Sequence, residues 1–227
     1  MTIWGVAALA ALVMGVVGHL TGRELATGGY RIPEDEATHP PGHPWWTGPA
    51  TAALAALAVW SVGDLGGWAA LPPFLLFAWL TVALVWIDLD VHRLPVGLVV
   101  PTGAVLAVLL VIAVVATGGP RWQGTLVGAG LMGGFYLLLG ILPGGGVGGG
   151  DVRLAPVIGA LLGFLGTAFV VVGMAAGFLV GGVAAAALLL LRRVGLGSAI
   201  AYGPAMCLGA WASVVLTPRI VTGLAGG

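Results

Sequence analysis

Eight acidic residues occur in the 227-residue chain, and three of them sit where a carboxylate is costly. Asp88 and Asp90 close an apolar stretch, in Trp86-Ile87-Asp88-Leu89-Asp90-Val91-His92-Arg93-Leu94-Pro95. Asp151 opens another, in Gly148-Gly149-Gly150-Asp151-Val152-Arg153-Leu154. A charge at the edge of hydrocarbon is a functional candidate by default. Two carboxylates in contact cannot both ionise cheaply, so such a pair holds one proton between them. That arrangement suits peptide hydrolysis: the ionised acid takes a proton from water while the neutral one polarises the scissile carbonyl. The glycines before Asp151 would let an extended peptide lie beside the acid, and they tolerate backbone conformations closed to other residues. Pro95 limits helix continuation beyond Asp88, which is expected to leave that acid at a helix end with access to water.

Each feature also has a plain structural reading. An acid at a helix end often serves as an interfacial anchor, and a glycine run often serves as a flexible loop. Asp88, Asp90 and His92 could form an oxygen and nitrogen metal site, since positions i and i+4 share a helix face. No further ligand cluster accompanies them, and no metal or cofactor is expected. The glycine run is not a phosphate loop, because a GK[ST] ending is missing and Asp stands where a lysine would be. Glu24, Glu34, Asp35, Glu36 and Asp64 are expected in loops.

The elements that must position these acids are membrane helices. The chain is 59% hydrophobic and 7% charged, with a mean hydropathy of +1.12. A soluble domain is about a quarter charged, so this inventory cannot cover a water-facing surface. Stretches 1–18, 44–63, 65–87, 94–120, 122–150, 154–191 and 194–218 lack Asp, Glu, Lys, Arg and His. A bilayer-spanning helix needs about 20 apolar residues. The expected fold is an all-α polytopic bundle forming one domain over 1–227, with about eight spans at 2–20, 46–63, 67–87, 96–117, 125–142, 154–167, 169–191 and 203–217. A single kinked helix across 154–191 is the competing reading. The glycines, 41 in all, suit close helix packing, and Gly128, Gly177 and Gly181 can serve that purpose alone.

Sidedness follows from the arginines, because the chain has no lysine. With the N-terminus outside and eight spans, Arg23, Arg31, Arg93, Arg153, Arg192 and Arg193 are cytoplasmic. Arg121 and Arg219 alone lie outside. Loops rich in arginine tend to stay inside, and a single span across 154–191 would weaken the bias. Two spans separate Asp88 from Asp151, and an even number of crossings returns the chain to the same face. The polar segment 21–45, with Glu24, Arg31, Glu34, Asp35, Glu36, His39 and His43, becomes a cytoplasmic loop. Its acidic residues Glu34, Asp35 and Glu36 are electrostatically suited to a basic peptide. Nothing resembles a basic arm for nucleic acid. Cys207 is the single cysteine, so neither an intrachain disulfide nor a cysteine metal site is expected.

At these residues the sequence resembles the type IV prepilin peptidases. Their first aspartate lies in I-D-x-x-x-x-x-[IL]-P, matched from Ile87-Asp88 to Leu94-Pro95. The second lies in G-x-G-D-x-[KR]-L, matched from Gly148 to Leu154. An F/Y-G-P run opens their last helix, matched at Ala201-Tyr202-Gly203-Pro204-Ala205. The resemblance implies a GxGD-type membrane aspartic protease in a prokaryotic cytoplasmic membrane, with Asp88 and Asp151 as the catalytic pair and Gly148 and Gly150 shaping the site. It implies prepilin or pseudopilin precursors as partners, cleaved at the cytoplasmic face after a glycine that ends a short basic leader. Arg153 and Pro95 belong to the matched motifs as supporting residues. Asp90 is expected at most to raise the pKa of Asp88 by like-charge repulsion. Larger members have paired C-x-x-C motifs associated with N-methylation. This chain has one cysteine and only a short segment between its first two spans, so peptidase activity without methyl transfer is expected. A non-catalytic assembly factor of the same fold, and a small proton-coupled transporter, are the alternative readings.

Overall fold

The computed structural model describes residues 2–33, 35, 42–142, 148–191 and 202–225. Among these are eight α-helices and no strand: α1 (Ile3–Leu25), α2 (Thr47–Gly66), α3 (Leu71–Val91), α4 (Val96–Thr117), α5 (Arg121–Ile141), α6 (Gly149–Leu165), α7 (Thr167–Leu190) and α8 (Gly203–Ala225). Six contain a segment long and apolar enough to cross a membrane: α1, α3, α4, α5, α7 and α8. The apolar part of α2, Thr47–Gly63, is shorter. The 17 residues of α6 rise about 25 Å at 1.5 Å each. The chain is therefore an all-helical, multi-pass membrane protein.

The stretch 154–191 is two helices and not one kinked helix. Gly166 separates α6 from α7 at φ 142°, ψ 157°, a backbone conformation in which a Cβ is strained. Two acids expected in loops lie in helices instead. α1 runs on to Leu25 and carries Glu24 in its last turn, and α2 reaches Gly66 and includes Asp64. Glu34, Glu36, His39, Arg192, Arg193 and Ala201 lie outside the described residues.

Two compact units make up the chain, residues 1–117 and 118–227. In the first, α1 and α2 pack antiparallel through small residues. A Cβ on Gly18 would come within 2.7 Å of Thr47 O, and one on Gly22 would strike Thr47 Oγ1. α3 is the buried helix of this unit, with Phe74, Phe77, Leu80 and Leu84 almost wholly enclosed. In the second unit α5 and α6 approach at backbone distance. A Cβ on Gly128 would collide with Gly159 O, and one on Gly124 with Gly163 O. α7 and α8 meet similarly: a Cβ on Gly177 would stand 3.3 Å from Ala205 O, and one on Gly181 would strike the Tyr202 ring. Gly128, Gly177 and Gly181 thus have the packing role expected of them. Close backbone approach replaces the hydrophobic drive that lipid cannot supply between helices.

Candidate active site

α3 places Asp88 and Asp90 in its last turn and a half. The helix ends because His92 adopts the left-handed conformation (φ 50°, ψ 37°), with its N–H donating to Asp88 O at 2.9 Å. Pro95 does not itself stop α3; its carbonyl accepts from the N–H groups of Leu98 and Val99, both at 3.0 Å, and so starts α4. Asp88 is 4% exposed. The access to water expected at this helix end gives way to burial, because Asp88 faces the same side of α3 as Leu84 and Ile87, both enclosed.

Asp90 has a different surrounding. Arg31 donates from Nε to Asp90 Oδ2 at 2.8 Å and from Nη2 to Oδ1 at 2.7 Å, and the Tyr30 hydroxyl donates to Oδ2 at 2.7 Å. The positive charge of Arg31 offsets the like-charge pressure that Asp90 would exert on Asp88. Both Asp90 oxygens accept hydrogen bonds. Next to it, Arg93 donates to Asp35 from Nε (3.0 Å, Oδ1) and Nη2 (2.7 Å, Oδ2), and reaches Tyr30 O at 3.1 Å. The Arg93 guanidinium holds the Asp35 carboxyl below the usual carboxylate range. Burial, reinforced by the hydrogen bond to Asp90, pushes the Tyr30 phenol up. Asp35 is thereby committed within the fold and is not available to a basic peptide.

In the second unit Asp151 is the third residue of α6 and is 7% exposed. Its Oδ2 accepts from Gly148 N–H at 3.2 Å, closing the helix N-terminus, where a negative charge is also favoured by the helix dipole. The glycines here supply space and not unusual conformation. Gly148 has φ −69°, ψ 151°, open to any residue, and Gly149 and Gly150 are helical. A Cβ on Gly148 would stand 3.3 Å from Asp151 Oδ2. Arg153 folds back on the same turn, donating from Nη1 to Gly149 O at 2.8 Å.

One residue of this region escaped sequence reasoning. Tyr136 of α5 is fully buried; its hydroxyl donates to that of Tyr202 at 3.4 Å. The two rings pack with Phe178 of α7, Tyr136 stacking on Phe178 with centroids 5.9 Å apart. Tyr202, from the Tyr-Gly-Pro run, thus joins α5, α7 and the start of α8. A lone tyrosine in an apolar stretch is the available signal, since a buried hydroxyl needs a partner.

Asp88, Asp90 and Pro95 lie in the first unit, and Gly148, Gly150, Asp151 and Arg153 in the second. No three His, Cys, Asp or Glu among the described residues are grouped to hold a metal ion. No curated protein and no solved structure matches the chain. The model of the type IV leader peptidase family matches residues 74–187, a segment that contains both Asp88 and Asp151. With that match over half of a chain of apolar helices, the protein belongs to the type IV leader peptidase family, as a protease of a membrane.

Proposed function

We propose that the protein is an aspartic endopeptidase that removes the basic leader from prepilin-like precursors at the cytoplasmic membrane face, with Asp88 and Asp151 as its catalytic pair. One observation carries the assignment: Asp88 and Asp151 are both buried within helices, 4% and 7% exposed. Both fall inside the family-matched segment. α4 and α5, which separate them in sequence, each have the length and composition of a crossing, and two crossings return the chain to one face.

In this reading the two carboxyls work with a single proton between them. The ionised carboxylate takes a proton from water as the water oxygen bonds to the scissile carbonyl carbon. The neutral carboxyl gives its proton to the carbonyl oxygen. Collapse of the tetrahedral intermediate then breaks the C–N bond as a proton passes to the departing amine, and the carboxyls return to one proton between them. Gly148, without a side chain beside Asp151, leaves room for the peptide backbone.

The test is co-expression with a tagged prepilin-like precursor, following its size on a gel. Wild type shortens the precursor by its leader, while Asp88→Asn and Asp151→Asn insert normally and leave it whole. Processing by either variant, or none by wild type across several pilin-like precursors, overturns the proposal and favours a non-catalytic member of the family.

A further inference from the structure

The first unit holds a cavity of about 390 Å³ between the end of α1, the end of α3 and the start of α4, within the size range of sites that take small ligands. Trp79, Ala83 and Ile87, one helix face of α3, form one wall. Leu25 and Leu98 contribute further apolar surface, and Glu24 and Tyr30 also line it. Ile87 immediately precedes Asp88, so this wall runs into the turn of α3 that carries that acid.

The polar groups lining this cavity are nearly all committed. Thr21 Oγ1 donates to Val17 O at 2.9 Å and accepts from Trp79 Nε1 at 2.7 Å. Thr27 Oγ1 donates to Glu24 O at 2.7 Å and accepts from Gly29 N–H at 3.3 Å. The Tyr30 hydroxyl donates to Asp90 and accepts from Trp86 Nε1 at 3.1 Å. Each hydroxyl has one proton to give, and all three protons are used. The Glu24 carboxylate is exposed and makes no ion pair among the described residues. The nearby cations Arg31 and Arg93 are held by Asp90 and Asp35, and Arg23 does not line the cavity.

An apolar cleft with one uncommitted carboxylate matches a cation on an aliphatic stem: the stem lies on apolar surface and the head pairs with the acid. We propose that this cavity is a specificity subsite, in which Glu24 receives one lysine or arginine side chain of the leader. The inference rests on the function proposed above and adds to it the residue that reads the leader. The clasp of Arg31 on Asp90 is then a positioning device, because it holds Tyr30 as a wall of the cavity.

A charge-swap experiment tests it. Precursors with each leader Lys or Arg changed singly to Glu are processed by wild type, Glu24→Gln and Glu24→Lys, with rates read from gel time courses. For one leader position, wild type slows about tenfold on the Glu-bearing precursor, the size expected of one charge-assisted contact. Glu24→Lys slows comparably on the parent precursor and regains most of that loss on the same Glu-bearing precursor. The near-isosteric Glu24→Gln loses the discrimination between the two while remaining folded. Equal rates of the Glu24 variants and wild type on every precursor overturn the inference while leaving the peptidase reading intact. A general loss with no rescue by any leader charge also overturns it. No cleavage by wild type removes the peptidase reading itself, and the subsite with it.

Discussion

Arg31 grips Asp90 through two parallel bonds of 2.8 and 2.7 Å, two residues along α3 from Asp88. The segment after α1 is thereby pinned to the turn that carries the candidate catalytic acid. A second forked pair, Arg93 with Asp35, fastens the same segment one step further on. Arginine suits this task because its planar fork fits a carboxylate in a single orientation.

Arg31→Lys keeps the charge and loses the fork. Processing of a precursor is expected to fall several-fold, with insertion unchanged. Arg31→Ala, which leaves a partly buried Asp90 with only Tyr30, should lower the melting temperature as well as slow processing. Thermal unfolding in detergent beside a cleavage assay separates the two effects.

The Asp35–Arg93 pair gives a pH signature. The folded-state pKa of Asp35 is depressed, so its contribution to stability is full above the unfolded pKa and is lost as pH falls through the folded one. The melting-temperature gap between wild type and Asp35→Asn should stay constant from neutral pH to about pH 4, near the ordinary aspartate value. It should close below that. A gap that widens on acidification would contradict the assignment.

Packing of α5 on α6 predicts a sharp contrast between neighbouring glycines. Gly128→Ala drives a methyl into Gly159 O and should destabilise by about 1–3 kcal/mol or more, as overpacking does. Gly130→Ala, two residues away and with open space at its Cβ, should be neutral or slightly stabilising, since Ala is the better helix former. Paired unfolding curves of the two variants check this.

At the Tyr136–Tyr202 contact the ring matters more than the hydroxyl. The bond is long, 3.4 Å, so Tyr136→Phe should cost no more than about 1 kcal/mol. Tyr136→Ala empties a fully buried ring site against Phe178 and should cost about 3–5 kcal/mol. The same measurement on both variants decides it.

The sequence by itself determined the helices, the membrane class and the two acids worth attention. Apolar length is a one-dimensional property, and a carboxylate beside such a run is visible without coordinates. Even the break within 154–191 was legible as a matter of length and arginine placement. The helix ends were less so: α1 runs five residues further than expected and α6 begins five residues earlier, because Asp151 closes the α6 terminus on Gly148 N–H and draws glycines into the helix. Only the tertiary structure decided that Asp90 serves Arg31, that Asp35 serves Arg93, and that Tyr136 meets Tyr202. These partners stand 58 to 66 residues apart in the chain. Neither charge nor periodicity reports which distant side chain a buried polar group will find; that is set by how the helices pack.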